Sequence, residues 1–336
     1  MKKISLLLVV IMLGATALIA GCSCRRTDWR VIRVNQVTHS IFYAPMYAAI
    51  NLGFFYEEDI IIELDTGNGA DRSMAALISN SADIGLMGPE AAIFVARQGG
   101  NTGVRVFGQL TKRDGSFLIG RNPIDNFTWS MLENQEVIVG RRGGAPAMTF
   151  EYAVNQNGLF NGTNINLNFD VQFANTIGAF MAGVGDFVTA FEPAASAMVA
   201  AGGGHIIASV GQEAGEVPFT AFMATDRFIN NNPERIEAFL RALIRGYEFL
   251  INADIEDAID AVAPSFVGTP RIDLKNSILA YRAIDAWNAS PVMTADAYYR
   301  LISIMMNAGE LEEAVPMNLV VDNSFAERVM QQLATA

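Results

Sequence analysis

Apolar and polar positions change period again and again along this chain. Val31, Ile32 and Val34 form a short β-branched run, which reads as a strand. Asn35 to Pro45 is polar and aromatic with no helical spacing, so it reads as a turn. From Met46 the apolar positions Met46, Ala49 and Ile50 fall at helical intervals, and Gly53 stands where a C′ glycine would stop the helix. The stretch from Asn35 to Asp59 thus follows a strand with an aromatic turn, a helix and a glycine stop. That is how an open α/β sheet begins, and such sheets bind small molecules beyond the carboxyl ends of their strands.

The same alternation continues. Ile60–Leu64 is expected as a second strand, Asp71 as a cap for a helix from Arg72 to about Asn80, and Ala82–Met87 as a buried strand. A helix follows Gly88-Pro89-Glu90, with the proline near its first position, and Val104–Leu110 is a further strand. Ser116–Ile119 is expected to begin a crossing into a second lobe. There Glu136–Val139, Asn168–Phe173, Asp186–Phe191 and His205–Val210 read as strands, with helices between them. One of these helices, from about Pro146 to Gln156, should end at Gly158. Thr220–Ala224 is expected to cross back. Asn232-Pro233-Glu234 reads as a capped helix start, followed by Ile236, Phe239, Leu240, Leu243, Ile244 and Tyr247 at core spacing. Residues 254–336 read as more helices, placed to touch both lobes.

Two strand–helix blocks with two crossings imply a two-lobed α/β protein of the periplasmic-binding-protein type (type II-like). Mixed sheets would be flanked by helices and joined by two crossover hinge strands. The expected division is residues 31–115 plus 225–336 for the first lobe and 116–224 for the second.

Three strand-to-helix turns carry the candidate chemistry: Gly88-Pro89-Glu90, Gly143-Gly144-Ala145-Pro146 and Phe191-Glu192-Pro193. Each presents backbone N–H groups at a helix start, and glycine lets a ligand approach the backbone closely. Glu90 and Glu192 stand where an anion would otherwise sit. They would repel an anion and accept an amine or amidine-like N–H. The alternative is that each acid merely caps its own helix. His39, Phe42 and Tyr43 suit stacking on a small ring, or else form a hydrophobic staple under the first helix; His39 could instead tie its turn together.

Four segments resemble the NMT1/THI5-like group of ABC-transporter substrate-binding proteins. They are FYAPMYAAINLGFF (Phe42–Phe55), ADIGLMGPEA (Ala82–Ala91), GRRGGAPAMTFEYAVNQNG (Gly140–Gly158) and FVTAFEPAASAM (Phe187–Met198). The likeness runs from about Val31 to Leu250. That group includes binders of thiamine pyrimidine precursors, alkyl sulfonates and nitrate. The resemblance implies a ligand site made of the aromatic turn, the Gly-Pro turn, the Gly-Gly turn and the Glu-Pro turn. In this chain these supply Gln36, His39, Phe42, Tyr43, Gly88, Glu90, Gly143, Gly144 and Glu192. Fungal pyrimidine-synthesising relatives carry a cysteine-rich segment that is absent here, which weighs against an enzyme.

Composition narrows the compartment. Lys2 and Lys3 precede an apolar run from Ile4 to Leu18, a signal-peptide pattern too short for a comfortable membrane span. The run ends in Ile19-Ala20-Gly21-Cys22, which resembles a bacterial lipobox with Cys22 as the lipidated residue. The expected organisation is a leader over 1–21 and a tether over 22–30. Cys22 and Cys24 are the only cysteines, so the rest of the chain has no disulfide, cysteine nucleophile or Cys-rich zinc site. The net charge of −12 argues against nucleic acid and anionic membrane surfaces. An apolar share of 51% is ample for real cores. No glycine loop ending in Gly-Lys-Ser/Thr and no His-Glu-x-x-His occurs.

The expected protein is a lipid-anchored, monomeric solute-binding protein outside the cytoplasm. It would deliver a small nitrogen-bearing heteroaromatic, thiamine-pyrimidine-like, to an ABC permease and its ATPase, without cofactor, metal or catalysis. A binder of sulfonate- or nitrate-type anions, a pyrimidine-processing enzyme using His39 and an acid, and a sensor domain are the alternatives.

Overall fold

The computed structural model describes residues 30–99 and 103–335. The expected leader, Cys22 and all but the last residue of the tether lie outside them. Ten strands build two sheets. The first has the order β2 (Ile61–Thr66), β1 (Val31–Gln36), β3 (Ile84–Met87), β10 (Thr220–Thr225), β4 (Val104–Thr111). The second has the order β7 (Asn166–Asn168), β6 (Glu136–Ile138), β8 (Phe187–Phe191), β5 (Ser116–Gly120), β9 (His205–Ser209). The two orders are one pattern used twice. In each sheet the fourth strand is antiparallel to both neighbours, and it is the strand that follows a passage between the sheets. Strands β1 and β3 are parallel, as are β6 with β7 and with β8. Parallel neighbours need long crossovers, and helices supply them.

The two-residue alternation explains the second sheet's cores. Leu118, Val137 and Val139 face one apolar cluster with Phe150, while Ile119, Ile138 and Val188 face another with Phe180. Both faces are covered, so the strands read as continuous apolar runs. The first sheet and the C-terminal helices share one larger core. The helix Pro233–Asn252 buries Ile236, Phe239, Leu240, Leu243 and Ile244, at the spacing expected. Gly246 is required there, because a Cβ would overlap the carbonyl of Pro45 in the crossing helix Ala44–Asn51. Trp287 and Trp129 are core residues of the first and second cores.

Several local expectations change. Thr220–Ala224, expected as a crossing, is itself a strand inside the first sheet. The passages between the sheets are Lys112–Gly115 and the segment before Thr220. They are bonded together, with Val217 N–H donating to the Lys112 carbonyl at 2.9 Å and Phe219 N–H to that of Thr111 at 3.2 Å. Asp71 lies inside the first turn of the helix Ala70–Ile78, behind Gly69 at the N-cap, and caps nothing. Asn232 holds the N-cap position before Pro233, but its side chain donates back to the Phe228 carbonyl at 2.9 Å. The short helix Asp226–Asn231 ends immediately before it and takes that bond. The strand expected at Asn168–Phe173 is shorter and earlier, and Phe173–Asn175 is a 3-10 turn.

The C-terminal helices meet both halves. Arg271–Ala283 packs on the turn Ile41–Tyr43 and on the helix Ala194–Ala200, while Ala295–Asn307 packs on Ala145–Gln156.

Candidate functional site

The carboxyl ends of β1, β3, β6 and β8 converge. The turns that leave them surround a cavity holding ≈ 60 Å³ for the centres of water-sized molecules. Roughly 10–15 Å³ of such space holds one water, so the cavity has room for about four to six waters or a small ligand in their place. Phe42, Phe173, Phe191 and Phe219 form its aromatic wall. Phe191 is the hub, with its ring centroid 5.6 Å from Phe42, 5.9 Å from Phe173 and 6.0 Å from Phe219. Tyr43, Gly88, Glu90, Arg141 and Gly144 complete the lining.

Glu90 is the most unusual of these groups. It opens the helix Glu90–Gln98 and is only 3% exposed. Its Oε1 accepts the Ala145 N–H from the other half at 3.3 Å, while Oε2 is buried with no partner among the described residues. Burial pushes its pKa up to about 7, against the pull of its own N–H, the Ala145 N–H and Arg141. Gly88, two residues earlier, leaves room for this carboxylate, because a Cβ there would push it out of its present position. Tyr43 packs beside it, fully buried, and burial also raises the Tyr43 pKa.

The remaining residues named from sequence are placed differently. Gln36 is buried beneath the turn, outside the cavity wall. Its amide donates to Thr66 Oγ1 at 3.0 Å, and its oxygen accepts the Tyr47 hydroxyl at 2.7 Å. His39 lines an adjoining cavity of ≈ 160 Å³ that shares Thr38, Phe173 and Phe191 with the first. Both its ring nitrogens are engaged: Nε2 donates to the Ser265 carbonyl at 2.9 Å, and Nδ1 lies 3.0 Å from the Tyr47 hydroxyl. The histidine thus ties its turn to the C-terminal region.

Glu192 lines the same adjoining cavity, and its carboxylate is occupied. It accepts the Ser196 N–H and hydroxyl, each at 2.9 Å, so it caps the start of its own helix. Burial raises its pKa, and the two Ser196 bonds oppose that shift. Its backbone is tied to the first half, since its N–H donates to the Tyr281 hydroxyl at 2.9 Å and its carbonyl accepts the Ser40 hydroxyl. Gly143 faces an outer groove, where a Cβ would stand 3.1 Å from Glu310. The structure therefore brings Phe42, Tyr43, Gly88, Glu90 and Gly144 into one cavity, with His39 and Glu192 next door and Gln36 below.

Sequence reasoning passed over Arg141, Phe173, Phe191 and Phe219. Arg141 and Phe191 stand inside the glycine-rich and Glu-Pro segments, and that adjacency was the available signal. Phe173 and Phe219 come from chain with no recognisable motif.

Two sheets of repeated order, joined by paired passages with a walled cavity at their carboxyl ends, define the periplasmic-binding-protein fold. The profile of the NMT1/THI5 like family matches residues 41–257, and the chain belongs to that family. YtlA of Bacillus subtilis (strain 168), named as a binding protein, is 36% identical over 314 residues, covering 94% of each chain. Among solved structures, the alkanesulfonate-binding protein SsuA of Xanthomonas axonopodis pv. citri, bound to MOPS, aligns with a TM-score of 0.68 at 16% identity, over 88% of this chain and 99% of that one. The periplasmic nitrate-binding protein NrtA of Synechocystis PCC 6803 aligns with a TM-score of 0.71 at 14% identity, over 91% and 90%. At these identities the structures show the shared fold.

Proposed function

We propose that this protein is the extracytoplasmic solute-binding component of an ABC importer, held to the membrane through a lipidated Cys22. Its ligand is a small nitrogen-bearing heteroaromatic of the thiamine-pyrimidine class. Family membership, the likeness to YtlA and the fold shared with SsuA and NrtA support the transport role. The single observation that carries the ligand class is Glu90 Oε2, buried without a partner at an aromatic-walled cavity. A buried carboxylate oxygen demands a hydrogen-bond donor. A ring bearing an amino group supplies that donor and stacks against Phe42 and Phe191. A sulfonate or nitrate ion alone would meet the same carboxylate and be repelled. On this reading the protein binds and releases its ligand unchanged, and His39 serves to tie its turn to the Ser265 carbonyl and the Tyr47 hydroxyl.

Residues of both halves would close on the ligand, and the closed form would dock on the permease with its ATPase. Calorimetry on the chain from residue 22, with Cys22 replaced, tests the ligand class. The expected result is tight binding of 4-amino-5-hydroxymethyl-2-methylpyrimidine and none of nitrate or methanesulfonate. The reverse pattern would overturn it.

A further inference from the structure

The inner cavity has a mouth. Ala70, Glu90 and Arg141 line both it and an outer groove that runs over Asp71 and Phe94. Arg141 stands at this boundary, in the loop between β6 and the helix Ala145–Gln156. Its side chain is 36% exposed, and its ion-pair partner is Asp71 at 3.8 Å, beyond hydrogen-bond reach. Among the described residues no hydrogen bond to its guanidinium is formed. The neighbouring Arg142 differs, because its guanidinium is stacked 4.0 Å over the Phe169 ring. Arg141 therefore offers a fork of N–H donors at the mouth, held by a long pair with the exposed Asp71 carboxylate and drawn inward by the charge of Glu90.

The site thus has two polar ends of opposite demand. Inside, Glu90 requires a donor. At the mouth, Arg141 is suited to the paired oxygens of a carboxylate or phosphate, which water in the outer groove would keep partly hydrated. One small molecule meets both demands if an amino-bearing ring carries an anionic group on a short arm. We propose that Arg141 is a specificity-determining residue, and that the preferred ligand is an amphoteric aminopyrimidine-type ring whose anionic oxygens displace Asp71 from Arg141. This rests on the ring-in-cavity reading above and adds the second recognition point.

The experiment compares 4-amino-5-hydroxymethyl-2-methylpyrimidine with its phosphate monoester by calorimetry, on wild-type protein and on Arg141→Met, Arg141→Lys and Asp71→Asn. In wild type the monoester should bind roughly tenfold or more tightly than the neutral ring. That ratio should fall to about one in Arg141→Met, take an intermediate value in Arg141→Lys, where charge remains without the fork, and rise in Asp71→Asn. A wild-type ratio near one, with the neutral ring still bound, overturns the role of Arg141 and leaves the ring reading standing. So does a ratio undiminished in Arg141→Met. Absence of binding by both rings overturns the two together.

Discussion

Two carboxylates in this molecule are buried with one oxygen unpartnered among the described residues, and they have different uses. Glu90 holds its oxygen at the cavity. Asp114 is fully buried in the passage between the sheets. Its Oδ1 accepts the Ser116 N–H at 2.7 Å, and its Oδ2 has no partner. Burial pushes its pKa from 3.8 to about 7, against the Ser116 bonds. A group whose folded pKa is raised contributes stability at low pH, and that contribution is lost as pH climbs through the folded pKa. The penalty for ionised Asp114 should therefore grow between about pH 4 and 7 and reach a few kcal/mol. Asp114→Asn should gain clearly more thermal stability relative to wild type at pH 8 than at pH 5. Equal differences at both values would show that Asp114 does not titrate in this window.

Glu90 has its pKa raised to about 7 by the same cause, but here a ligand can settle the matter. The ionised form is the stronger acceptor of an N–H at Oε2. Affinity for a neutral aminopyrimidine should rise from pH 6 to pH 8. Glu90→Gln should weaken it by about 1–3 kcal/mol at pH 8 and flatten the profile. Glu192→Gln should matter less, because Ser196 already satisfies that carboxylate. An equal loss in both variants, measured by calorimetry, would contradict this ranking.

At the level of elements, the turns are held by groups far away in sequence. The Glu192 turn belongs to the second sheet, yet Tyr281 on the helix Arg271–Ala283 receives its N–H. Tyr281 also packs 5.1 Å from Phe42 and 6.0 Å from Phe117, one ring from each half. Trp287 adds a bond from its indole to the Phe42 carbonyl at 2.9 Å. Tyr281→Phe should leave the rings packed and the Glu192 N–H stranded, lowering stability by about 1–3 kcal/mol in chemical denaturation. An unchanged midpoint would mean that water satisfies that N–H. None of this was legible in the sequence, because a helix pattern shows which face is buried but not what it is buried against. Local backbone chemistry was legible. Gly53 and Gly158 stand at positive φ one residue past the C-caps Leu52 and Asn157, where the spacing placed them. Asp71 and Asn232 misled for a shared reason. Either side chain suits an N-cap, and only the neighbouring backbone, Gly69 in one case and the helix Asp226–Asn231 in the other, decides whether the cap is made.

At the scale of the whole molecule, the two-block order of strands and helices was visible because each parallel neighbour requires a crossover helix. The order of strands within each sheet was not visible, since pairing partners leave no mark on hydrophobic period. The cavity was partly visible through its glycine and acid turns. Its aromatic wall was hidden, because Phe173 and Phe219 arrive from segments whose pattern resembles any other loop or strand.

The inserted fourth strand carries a consequence for how the chain becomes organised. The second sheet draws all its strands from residues 116–209, an unbroken span. The first sheet cannot close until β10 arrives, because that strand separates β3 from β4 and bonds to both. On emerging from the ribosome, residues 31–111 must wait for more than a hundred further residues before their sheet can be completed. The later half is thus able to mature first, and the earlier half passes its youth with an open seam that only the returning chain can fill.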